Sequence, residues 1–88
     1  MPYIKKQERE KWEELILSIL DSLEKVPDNK KEGELNYLIS SILFKAYTPS
    51  YFNYNRVIGL LECVKQEFYR RQVAEYEDEK IKENGDII

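Results

Sequence analysis

The sequence predicts an all-α protein: three helices in an antiparallel arrangement, the last long and overhanging, and a chain that self-associates. Three observations lead there. Apolar residues recur at intervals of three and four in three separate runs, the spacing of one helix face. Glycine and proline, three of each in 88 residues, are few and do not supply the frequent turns of a β-rich fold. The chain is 42% hydrophobic and 35% charged, which suits a folded globular domain and exceeds the apolar content of a disordered one. Residues 1–88 are read as a single domain.

The first helix is expected from about residue 5 to 25. Trp12, Leu15, Ile16, Ile19, Leu20, Leu23 and Val26 follow the i, i+3, i+4, i+7 pattern, after an opening that is almost wholly charged. Pro27, Asp28 and Asn29 mark a loop, with Gly33 just before the next element. A second helix, about 34–48, carries Leu35, Leu38, Ile39, Ile42, Leu43 and Ala46 on one face. Pro49 ends it, and Ser50, Asn53 or Asn55 offers a cap for the third. The third helix, about 54–84, has Val57, Leu60, Leu61, Val64 and Phe68 as its stripe and Asn84-Gly85 as its stop. Beyond Phe68 that stripe becomes Arg71, Gln72 and Glu75, although the helix continues. Gly59 inside it suggests a close helix approach, and Cys63 on the stripe's flank suggests a buried thiol.

A helix of 15 residues spans about 22 Å and one of 30 about 45 Å. The third helix therefore overhangs the second, and the overhang still carries Val73, Tyr76 and Ile81. On helix two, Tyr37 and Phe44 lie about 160–200° from the Leu35 stripe, so one chain's core does not cover both. Uncovered aromatics and a thin core, in a chain that buries only about three-fifths of its unfolded surface, imply a homo-oligomer.

Composition also narrows the chemistry. Fourteen basic against 17 acidic residues give a net charge of −3, which disfavours DNA or RNA as the main partner, since phosphate neutralisation supplies most of such binding. There is no histidine and one cysteine, so the commonest general base and the usual metal-ligand sets are missing; neither a metal nor another cofactor is expected. Ser40 and Ser41 have no base to activate them. Acidic pairs such as Glu13-Glu14 sit on polar helical stretches and read as solvated faces. No Gly-rich phosphate loop occurs. The expected protein is not an enzyme. The N-terminal stretch has no apolar run, and no segment approaches eighteen apolar residues, so a cytoplasmic protein without a membrane partner is expected.

The candidate site is aromatic and basic. Between residues 33 and 73 five basic residues oppose three acidic ones. Antiparallel packing would place Arg70 and Arg71 near Asn36 and Tyr37, with Tyr69 alongside. Guanidinium, amide and phenol together suit an anionic or nucleotide ligand. The plainer alternative is that both arginines pair with Glu67 and Glu75 on their own helix. Arg71, with acids at i−4 and i+4, is expected to be tied up that way, which leaves Arg70 as the freer cation.

"GELNY" (33–37), "GLLECVKQEFYRR" (59–71) and "YEDEKIKENGD" (76–86) resemble a family of small uncharacterised all-helical proteins of phages and bacteria; helix one matches mainly through "MPYI". The resemblance implies a phage origin and transfers no activity. The architecture alone is also similar to that of phage cyclic-dinucleotide sponges, which are small, helical and oligomeric and bind signalling nucleotides without cleaving them. The expected function is non-enzymatic binding, with a phage anti-defence protein sequestering a small anionic nucleotide signal in the host cytoplasm as the first reading. The alternative is a protein–protein module, an inhibitor or adaptor of a host protein.

Overall fold

A computed structural model describes residues 2–88; Met1, the first residue of the "MPYI" opening, lies outside the described residues. Every regular element among them is helical. Helix α1 spans Lys6–Glu24, and a short 3-10 turn at Asp28–Lys30 leads into α2, Lys31–Ala46. Then follow α3, Tyr51–Phe68, a π-helical turn, Tyr69–Val73, and α4, Ala74–Asn84. The last three join end to end in one helical run of 34 residues, the long third helix that the sequence predicts. No helix among the described residues is long and apolar enough to cross a membrane.

The ends of the helices follow local chemistry. Beyond α1, the Val26 amide donates to the Leu23 carbonyl at 3.0 Å, and Pro27 stops the helix because it has no amide to continue it. The 3-10 turn feeds directly into α2, which therefore starts three residues before the predicted Glu34 and takes Gly33 inside. Asp28, Glu32 and Glu34 favour that end, where the helix dipole is positive. Tyr47 turns to extended backbone two residues before Pro49. Of the three candidate caps, Ser50 is the one used: its hydroxyl oxygen accepts the Asn53 amide at 3.0 Å. Gly85 closes the run as predicted, at φ +89°, with its amide on the Ile81 carbonyl at 2.9 Å.

The π turn was not foreseen. The Ala74 amide donates to the Tyr69 carbonyl, five residues back instead of four. Such a turn holds one residue more than an α turn and rotates everything after it by about 100° relative to an unbroken helix.

The chain divides into two units, one ending at Pro49 and the other beginning at Ser50. In the first, the end of α1 meets the start of α2 around Leu23, the one buried apolar side chain among the described residues, at 9% exposure. Val26, Leu35, Leu38 and Leu43 are half-buried. A groove of about 360 Å³ lined by Ile19, Val26, Tyr37 and Leu38 touches Leu23, and another of about 590 Å³, lined by Leu17, Leu20, Lys31 and Leu35, touches it too. The second unit is a single helical run, so within that unit there is no second element for it to pack on.

Several packing expectations are therefore corrected. Trp12, Leu15, Ile16, Leu60, Leu61, Val64 and Phe68 form stripes as predicted, but all are exposed, so a stripe at helical spacing is no guarantee of cover within one chain. Cys63 is exposed as well. It stands about 120° from the line through Val57, Leu61, Val64 and Phe68, which turns its thiol away from that face. Gly59 marks no close approach: a methyl added there meets nothing within 4 Å.

These two sites predict substitutions of opposite sign. Ser50→Ala should remove the cap and destabilise the helical run by about 1 kcal/mol. Gly59→Ala should stabilise it by up to about 1 kcal/mol through helix propensity, because nothing opposes the added methyl. Chemical denaturation of the full chain measures both, and a loss of stability in Gly59→Ala would mean that another surface packs against that glycine.

Candidate functional site

The five candidate ligand residues fall in both units: Asn36 and Tyr37 on α2, and Tyr69, Arg70 and Arg71 in the π turn.

On α2, Asn36 and Ser40 are one turn apart, and the Ser40 hydroxyl donates to the Asn36 side-chain oxygen at 3.0 Å. Asn36 is exposed, and its side-chain amide nitrogen is a donor that this bond does not use. Tyr37 is 68% exposed and borders the groove where Ile19, Leu23 and Val26 of α1 meet Leu38. It thus presents one edge of an apolar cleft and a phenol to solvent, the mixed character that suits a residue covering a ligand. Phe44, two turns on, is 85% exposed and far more open than an aromatic ring of a finished core. The sequence marked Tyr37 and Phe44 as uncovered, and so they are in the single chain. It did not mark Ser18, Ser22 and Glu34, which line the same groove and give it a polar rim. The signal of the two serines was only their spacing beside the α1 stripe, and Glu34 stands on α2 one residue before Leu35.

In the π turn the roles of the two arginines are the reverse of those expected. The Arg70 guanidinium donates to Glu67 at 2.9 Å in an ion pair. Arg71 has neither a hydrogen bond nor an ion pair among the described residues and is exposed. Two physical reasons account for this. The Glu67 carboxylate is already engaged by Arg70. For Glu75, an arginine placed four residues before an acid is the weaker order of the pair on a helix. Arg71 is the freer cation of the two.

Tyr69 sits at the start of the same turn, and its hydroxyl donates to Glu77 at 2.9 Å. Eight residues do not face each other on an unbroken α-helix. Across the π turn the extra residue is absorbed, so Tyr69 and Glu77 line up as i and i+7 ordinarily would. The hydrogen bond to Glu77, together with the charges of Glu77 and Asp78, holds the Tyr69 phenol above its usual pKa. Glu77 as a functional partner was missed in the sequence because the separation is wrong for a regular helix. One turn before, the Gln66 amide and the Lys65 ammonium donate to Glu62 and keep its carboxyl below the usual glutamate range.

Nearby aromatics are partly shielded by cations. Arg56 lies over the Phe52 ring at 5.6 Å and Lys80 over Tyr76 at 5.5 Å. Such contacts keep a ring wettable while leaving its other face open.

Residues 1–87 match the family described as a domain of unknown function, DUF6899. The chain belongs to this family. No curated protein and no solved structure matches it. The match runs through α1, the groove residues and the π turn alike, so the candidate groups all lie within the family's domain.

The Tyr69–Glu77 bond has a titration signature. A raised folded pKa means that the bond adds stability below the ordinary tyrosine value near 10, and that this contribution is lost as pH rises through the raised value. Glu77→Gln should bring the Tyr69 pKa back down, read by NMR on the Tyr69 ring. An unchanged value would show that the hydroxyl does not rest on Glu77.

Proposed function

We propose that this DUF6899 protein is a non-enzymatic binding protein of the cytoplasm, acting as a protein–protein module whose helix faces are completed by another polypeptide. The observation that carries this reading is the outward display of large apolar side chains at helical spacing: Trp12, Leu15 and Ile16 on α1, and Val64 and Phe68 on α3. Exposed apolar surface in contiguous stripes is the mark of an interaction surface. Self-association comes first, with a host protein as the other candidate partner. Light scattering over a dilution series tests it. A mass above the 10.6 kDa of one chain at micromolar concentration is expected; a 10.6 kDa species that binds no apolar dye would overturn the reading.

A second reading, sequestration of a small anionic nucleotide signal by a phage anti-defence protein, draws on the uncommitted Arg71 guanidinium in the same π turn as the exposed Tyr69 ring. In this reading Arg71 meets phosphate, Tyr69 stacks on the ligand, and Arg70 holds the turn in place through Glu67. A thermal-shift screen against linear and cyclic nucleotides is the test. Arg71→Ala should weaken any binding by about 1.5–3 kcal/mol, the range for a charge-assisted hydrogen bond, and by more than Arg70→Ala does. Binding untouched by Arg71→Ala would remove the site from consideration.

A further inference from the structure

We infer that the face of the long helical run from Val57 to Tyr76 is a seam for the same face of a second copy of this chain, with the two helices antiparallel. This rests on the protein-binding reading above and names its partner and geometry.

The seam exists because of the π turn. Val57, Leu60, Leu61, Val64 and Phe68 lie within about 60° of one line on the helix. In an unbroken α-helix Glu75 would continue that line and the apolar face would end. The one extra residue at Tyr69–Val73 turns the helix so that Tyr76 stands where Glu75 would, with Val73 on its flank. The apolar line thus runs about 28 Å, from α3 through the turn into α4. Within its unit nothing covers it: Leu60 and Leu61 are more than one-third exposed and Val64, Phe68 and Tyr76 more than one-half.

Charge selects the occupant. Residues 51–73 carry four basic side chains (Arg56, Lys65, Arg70 and Arg71) against two acidic ones, Glu62 and Glu67. Residues 74–88 carry six acidic side chains against two basic ones, Lys80 and Lys82. A second copy laid antiparallel, centred on the middle of the seam, brings each acidic tail against the other copy's residues 51–60, which carry Arg56 and no acidic side chain. A parallel copy sets like against like at both ends. The helix dipoles favour the same choice, since each positive N-terminal end then lies beside a negative C-terminal one. Cys63, about 120° from the seam, stays accessible in the pair.

The test uses the full chain. Light scattering should give twice the single-chain mass or a multiple of it; Val64→Glu and Phe68→Glu, on the seam, should lower it, and Gln66→Glu, on the opposite face, should not. Circular dichroism on each variant separates loss of association from loss of helix. For orientation, nitroxide labels on introduced cysteines in a Cys63→Ser background measure distances within the unmutated seam. Copies labelled at Lys82 should lie about 45 Å apart, whereas a mixture labelled at Asn55 on one copy and Lys82 on the other should read under about 25 Å. The reverse pattern would overturn the antiparallel pairing. An oligomer whose mass survives both seam variants would overturn the seam and leave the protein-binding reading standing. A wild-type chain of 10.6 kDa that binds apolar dye would overturn the self-pairing and leave a different protein as the partner.

Discussion

Everything in this structure depends on how little of it is inside. One apolar side chain, Leu23, is buried among the described residues, and it sits at the corner where α1 turns into α2. Helices of 16 to 19 residues are marginal on propensity alone and usually take their stability from the face they bury. Here the faces are present and the cover is not. What the single chain does supply is local: ion pairs three or four residues apart, such as Lys65–Glu62 and Lys80–Glu83, the Ser50 cap and the Gly85 stop. Exposed pairs of that kind contribute a few tenths of a kcal/mol each and cannot stand in for a core. The proposed function follows from this shortage: a surface this apolar has to meet another.

Elements were easier to read from the sequence than packing. Periodicity, Pro27, Pro49, Ser50 and Gly85 located all three helices to within a few residues, because each acts on the backbone beside it. Helix α2 began early since the 3-10 turn at Asp28–Lys30 can pass its last residue straight into a helix, and no local residue forbids that. Cover is a different kind of fact. The Leu60–Phe68 stripe has the same spacing whether its partner is in the chain or outside it, so burial of that stripe and of Cys63 was not legible. Tyr37 and Phe44 were, because their position opposite a second apolar face left no room for them in any one-chain core.

The candidate site divides in the same way. Its members were visible as residue types, and Asn36, Tyr37, Tyr69, Arg70 and Arg71 all reach the surface. Their pairings were not, since each was deduced from regular helical spacing. The π turn breaks that spacing where the two arginines stand, and it brings Tyr69 to Glu77, a partner no α-helical count would offer. The one clue was that the apolar face stopped at Phe68 while apolar residues went on to Val73 and Tyr76. A stripe that stops and resumes one residue late is the trace a wider turn leaves in a sequence.

That turn also bears on how the chain tolerates change in length. Elsewhere along a helix, gaining or losing one residue swings all that follows round by more than a quarter of a circle and scrambles its faces. At Tyr69–Val73 the backbone already holds a surplus residue in a single widened loop. A deletion there would relax the loop to an ordinary turn and leave both ends aligned as they were. Members of the family that differ by one residue at this point would keep the same surfaces, which makes it the natural seam line for divergence in a helix that otherwise has to keep count.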